Sequence, residues 1–235
     1  SDGRLVKYRR IKQLYSPIRI KPRFESYLAR KTLKNRVFIT GYGIISPQGL
    51  NSESTWKAIK SGVSGVDHIS AFDAEGFDVR IAAEVKGFEP TDYLDRKAAR
   101  RTDRFVQFAT AACREALSQA DLDLEKVDRY RVSALVGSGI GGIITLSDQY
   151  GVLESRGPSR VSPFLIPMML GDMASAQISM LTGALGPNIC LVSSCSSGAD
   201  AIGTASEMIR RDEMDIVLAG GSEAPICPIA NAGFA

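Results

Sequence analysis

Short, nearly unbroken apolar runs alternate along this chain with longer stretches whose apolar residues recur every three or four positions. The runs are RVFITGYGII at 36–45, RVSALV at 131–136, NICLVSS at 188–194 and DIVLA at 215–219, with a weaker one at 81–85. Runs of this length, closed by Gly or Ser, predict strands buried on both faces. Between them, Asn51 and Ser52 are placed to cap a helix through Lys60, and 103–120 (DRFVQFATAACREALSQA) has helical spacing. A helix is predicted from the glycines at 137–142 to about Glu154. Another covers 163–182 as one buried helix whose methionines, Met180 among them, belong to the core. A third, rich in small residues, covers 196–211. Strands alternating with helices predict an α/β fold, with a largely parallel sheet covered by helices on both faces.

Hydrophobic residues make up 44% of the 235, enough for a substantial core. Gly, Pro and Ser interrupt every apolar run before it reaches bilayer length, so no membrane span is expected. Charge is uneven. Residues 1–35 hold eleven Lys/Arg against Asp2 and Glu25, leaving 18 of the 29 basic and 24 of the 26 acidic residues for the remainder. This divides the chain into a basic extension at 1–35 and a mildly acidic domain at 36–235. The extension reads first as a solvated leader or docking segment, with a phosphate-binding arm or a transit peptide as the sharper alternatives, and nucleic acid is not an expected partner. It has no apolar stretch of the secretory kind. Cys113, Cys190, Cys195 and Cys227 have no CxxC-type spacing and His68 is the sole histidine, so no metal site is expected. The thiols read as reduced and the chain as cytoplasmic. Cys113 reads as core.

The sharpest chemical signal is VSSCSSG at 192–198, where a thiol falls between a strand end and a helix start. A helix N-terminus presents unpaired N–H groups and partial positive charge, which favour a thiolate and an oxyanion, the two needs of acyl transfer. Position alone leaves a plain buried thiol open. Gly137, Gly139 and Gly142 satisfy GxGxxG, but the acidic residue of a dinucleotide site is missing downstream, so the cluster reads as a tight turn with close helix packing. His68 has no acid at helical spacing and reads as a surface or packing residue.

Taken in order, VFITGYG at 37–43, DRFVQ at 103–107, the glycines at 137–142, SPF at 162–164, Gly186-Pro187, SCSSG at 194–198 and GGSE at 220–223 resemble the first half of the elongating β-ketoacyl-[acyl-carrier-protein] synthases. The resemblance implies a thiolase-like layered α/β/α/β/α fold, built from two similar halves of which 36–235 is the N-terminal one. It implies that Cys195 attacks an acyl-phosphopantetheine thioester, that its own N–H is one oxyanion donor, that Ile140 lines the acyl tunnel, and that Phe164 and Phe234 lie near it. Expected partners are acyl carrier protein and a second subunit, as a homodimer or a complementary ketosynthase half. No cofactor is expected beyond the carrier's phosphopantetheine.

In this family the catalytic histidines, a lysine and the second oxyanion donor belong to the other half, and His68 matches neither histidine. Condensation with malonyl-carrier is therefore expected to need that half, with this chain limited to the acyl-transfer step. The close at 231–235 interrupts a family motif, as in a fragment, a truncated product or a piece of a split enzyme. The alternative reading is a non-catalytic dimerisation or chain-length-setting subunit. Such relatives typically lose the cysteine, so its presence in this chain counts against that reading.

Overall fold

The structure is a computed structural model that describes residues 36–235; the basic extension read at 1–35 lies outside the described residues. Helix α1 (Ser52–Lys60) starts where expected: the Asn51 side chain accepts from the Ser54 amide at 2.8 Å and satisfies one of the orphan donors of the first turn. Strands β1 (Asp67–His68) and β2 (Ile81–Ala82) form a short antiparallel pair. After the single turn α2 (Arg96–Ala99) comes α3 (Arg104–Ala120), capped by Asp103. Strand β3 (Val132–Gly137) feeds α4 (Ile143–Arg156), then α5 (Leu165–Met169) and α6 (Met173–Thr182). The chain closes with β4 (Asn188–Ile189), α7 (Ser197–Arg210), β5 (Ile216–Gly221) and α8 (Pro228–Phe234).

The three later strands form a parallel sheet in the order β4-β3-β5, with Val132 opposite Ile216 and Gly137 opposite Gly221. Every residue of the central strand β3 is buried. Successive strand residues face opposite ways, so Ala134 and Val136 pack with Phe105, Val106 and Ala109 of α3 and Ala174 and Ile178 of α6. Leu135 packs on the other face with Ala201, Ala205 and Met208 of α7. The expected helix-covered parallel sheet is thus present. Asp103, itself buried, links the starts of two helices: one carboxylate oxygen accepts from the Thr145 amide at 2.9 Å and its hydroxyl at 2.6 Å. No helix among the described residues is long and apolar enough to cross a membrane.

Several expected elements take another form. The run at 36–45 forms no strand among the described residues, with Phe38 64% and Ile39 84% exposed. It runs as a strap along α3, so close that a Cβ on Gly43 would lie 1.9 Å from the Ala112 carbonyl oxygen and one on Gly41 2.1 Å from that of Ala116. Its amides bond to helix side chains, Tyr42 to Gln119 Oε1 at 3.2 Å and Ile44 to Glu115 Oε2 at 3.0 Å. An apolar run reports a demand for burial, whereas a strand also needs a neighbouring strand to take its amides. The stretch 163–182 is two helices. Leu170 turns extended between them, and the Met169 carbonyl accepts from the Gly142 amide at 3.0 Å. Met173 packs against the core, but Met180 is 66% exposed. The run at 188–194 pairs as a strand only at Asn188–Ile189, and that at 81–85 only at Ile81–Ala82.

Leu135, fully buried between sheet and helix, is the residue to truncate: Leu135→Ala is expected to cost about 2–5 kcal/mol in denaturant unfolding, because the rigid sheet cannot close the cavity. Acid acts elsewhere. The buried Glu84 carboxylate accepts from the Ser70 amide (3.0 Å), the Ala71 amide (2.8 Å) and the Ser70 hydroxyl (2.6 Å). Burial raises its pKa, but these hydrogen bonds outweigh that and hold it below the ordinary glutamate value. A lowered folded-state pKa stabilises the fold above the unfolded value of about 4.3, and the contribution is lost as pH falls through the folded one. Unfolding curves at pH 7 and pH 3.5 should therefore show a smaller acid loss for Glu84→Gln than for the parent chain.

Candidate active site

The loop that carries Cys195 is held by its own serines. Ser193 N–H donates to Ser197 Oγ at 2.9 Å, and that hydroxyl donates to the Ser194 carbonyl at 2.7 Å. Ser196 Oγ donates to the Ser193 carbonyl at 2.7 Å, and the Ser193 hydroxyl donates to Asp200 in the first turn of α7. At the pivot, Ser194 has φ of +57°, a left-handed conformation that costs a residue with a Cβ roughly 1–2 kcal/mol and is kept where surrounding contacts impose it. The next residue, Cys195, is exposed, with α7 starting at Ser197. Cys195 therefore lies two residues before the start of α7, as read from the sequence, but in a loop six residues past Ile189, the end of β4, rather than at a strand's end.

Glycines let three backbones meet under the loop. A Cβ on Gly137, at the end of β3, would stand 2.2 Å from the Ser197 carbonyl oxygen. One on Gly221, at the end of β5, would stand 2.7 Å from the Gly198 Cα. Ser222 N–H donates to the Gly137 carbonyl at 3.0 Å and closes the junction. The first turn of α7 thus rests directly on two strand ends. This is the close packing read for the glycine cluster.

The same glycine turn touches the cysteine loop on one side and α5 on the other. A Cβ on Gly139 would lie 3.4 Å from the Ser194 carbonyl oxygen, and one on Gly142 would lie 2.4 Å from that of Met168. Ile140 stands in this turn, 42% exposed. Phe164, half-buried, immediately precedes α5, with the Arg101 guanidinium 4.2 Å from its ring centre. The structure thus brings the turn bearing Ile140 against both the Cys195 loop and the helix that Phe164 leads into. Phe234 ends α8 and is 74% exposed. His68 is exposed on β1, paired with Ile81 of β2, as a surface residue.

The GGSE motif at 220–223 has no role that is legible in the sequence. In the structure Glu223 binds the glycine turn: Oε2 accepts from the Gly139 amide at 2.6 Å and the Ile140 amide at 3.2 Å, and Oε1 accepts from Ser138 Oγ at 3.1 Å. Ser138, Ser194 and Asp200 were likewise unassigned. The one available signal was that two glycine-ended strands, at 137 and 221, each lead into a polar residue.

The four thiols differ in access and charge cost. Burial pushes the Cys113 thiol up to about 11, and burial also raises that of the half-buried Cys190. Cys227 is buried and Cys195 is exposed. In the native chain iodoacetamide should therefore label Cys195 first, by at least about tenfold over Cys113, since only accessible thiolate reacts; peptide mapping of a time course reads the order. Gly137→Ala should slow that labelling and lower stability by about 1–3 kcal/mol, because its Cβ forces the start of α7 away from the strand.

The β-ketoacyl synthase N-terminal domain matches residues 34–235. The 3-oxoacyl-[acyl-carrier-protein] synthase 2 of Staphylococcus aureus (strain COL) is 44% identical over 199 residues, covering 85% of this chain and 48% of that protein. The synthase 2 of Synechocystis is 42% identical over 202 residues, covering 86% of this chain and 49% of that protein. A solved ishigamide ketosynthase/chain length factor superposes with a TM-score of 0.77 at 29% identity, over 83% of this chain and 49% of the other. The chain spans about half the length of the curated relatives it matches. On the family match and these identities, the chain belongs to the β-ketoacyl synthase family, over the N-terminal domain of those enzymes.

Proposed function

We propose that this chain supplies the nucleophile of a β-ketoacyl-[acyl-carrier-protein] synthase, and that Cys195 takes an acyl group from a carrier thioester during fatty acid or polyketide chain elongation. The observation that carries the reading is the exposed Cys195 thiol beside the strained Ser194 at the start of α7. The Cys195 sulfur attacks the thioester carbonyl, the carbonyl oxygen becomes an oxyanion, and its charge is met by the Cys195 N–H. Collapse breaks the bond to the carrier's sulfur, which leaves with the proton that Cys195 gives up. One thioester replaces another, so the step balances without a redox partner or metal. Ile140, Phe164 and Phe234 are the side chains proposed to line the path of the acyl chain. Ile140 has the best support, because its turn lies against the cysteine loop.

Chain extension asks for more. Decarboxylating malonyl-carrier requires a group that stabilises an enolate, and the only imidazole in this sequence, His68, lies exposed on β1. Condensation is therefore proposed to depend on histidines contributed from outside these 235 residues, in a complementary half or a second subunit. The acyl donor is proposed to be a carrier protein, in keeping with the names of the relatives, and the proposed setting is cytoplasmic.

Intact-mass measurement after mixing the chain with an octanoyl carrier thioester tests the reading. A gain of one acyl group in the parent chain, absent from Cys195→Ala, is the expected result. Acylation that persists in Cys195→Ala, or a parent chain that takes no acyl group even when the complementary half is supplied, would overturn it.

A further inference from the structure

Glu223 is exposed, yet both of its carboxylate oxygens are committed to one four-residue turn, Ser138–Gly141. Oε2 holds the consecutive amides of Gly139 and Ile140, and Oε1 holds the Ser138 hydroxyl. That hydroxyl in turn accepts from the Gly141 amide at 3.0 Å. A single acid therefore fixes the backbone on both sides of Ile140. An exposed acid contributes little to global stability, so the consequence of this clasp is local. It sets where the turn stands relative to Ser194, whose carbonyl oxygen is 3.4 Å from the position of a Gly139 Cβ, and hence relative to Cys195. The other side of the turn is already set by the Gly142 amide on the Met169 carbonyl and by the Ser138 amide on the Leu191 carbonyl. Without Glu223, the segment 139–140 has no other hydrogen bond among the described residues to hold it to β5.

We propose that Glu223 is a positioning residue: by clasping the Ser138–Gly141 turn it places the Ile140 side chain beside the Cys195 loop and so sets how well long, apolar chains reach the thiol. The inference rests on the reading of Ile140 as part of the acyl path. Glu223 does not touch the reacting atoms. Its action passes through the backbone of the turn and should fall on chains long enough to meet Ile140, leaving short ones unaffected.

The test compares alkylation of Cys195 by iodoacetamide and by N-octyl iodoacetamide in the full chain, with site occupancy read by peptide mapping and thermal unfolding run alongside. Glu223→Ala should lower the octyl-to-unsubstituted rate ratio by on the order of tenfold, the scale that a small misplacement produces at a reacting centre. Glu223→Gln should stay within about twofold of the parent, because its amide oxygen still accepts from Gly139 and Ile140. Ser138→Ala, which removes only the hydroxyl link, should shift the ratio in the same direction and carries the test if Glu223→Ala does not fold. Equal slowing with both reagents, an unchanged ratio, or a Gln variant as impaired as the Ala variant would each overturn the proposal. Because alkylation needs no thioester exchange, a chain inert to acyl-carrier whose ratio still responds to Glu223 would support the positioning role while overturning the acyltransferase reading.

Discussion

The close seating of α7 on the glycine ends of β3 and β5 is the constraint on which the rest of the candidate site depends. Gly137 and Gly221 are opposite one another in the sheet, and a side chain on either would strike the first turn of the helix. The approach fixes where the helix begins. That in turn fixes the tight serine-rich loop before it, forces Ser194 to positive φ and leaves the Cys195 thiol facing solvent. Pre-positioning of this kind is what a nucleophile requires, since the geometry is in place before substrate arrives.

The layers around that junction make it rigid. β3 is buried along its whole length, with aromatic and small residues of α3 and α6 on one face and the small face of α7 on the other. Ala201 and Ala205 let α7 lie close to Leu135, just as Gly198 lets its first turn touch Gly221. Small residues along one helix face thus serve packing and the site together. The hydrogen bonds of Glu223 and Asp103 add tethers between elements far apart in sequence, one to the glycine turn and one from the start of α3 to that of α4.

Exposed apolar residues collect outside this core, in the strap at 36–45 and along the β4 edge, where Ile189 and Val192 face solvent. Two amides of the strap, those of Tyr42 and Ile44, are taken by the Gln119 and Glu115 side chains of α3.

The sequence by itself determined the α/β class, the capped helices at 52–60 and 104–120, the buried central strand and the position of Cys195 just before a helix start. These follow from local rules: apolar periodicity, Asn51 and Asp103 as caps, and glycines that permit close turns. Tertiary structure alone decided the break of 163–182 into two helices, since that break is held by the distant Gly142 amide. It also decided the course of 36–45 along α3, the exposure of Met180 and the work of Glu223. Each of these rests on a contact between residues remote in the chain. Periodicity and propensity act over a few residues and carry no information about which remote backbone group will arrive to take a hydrogen bond.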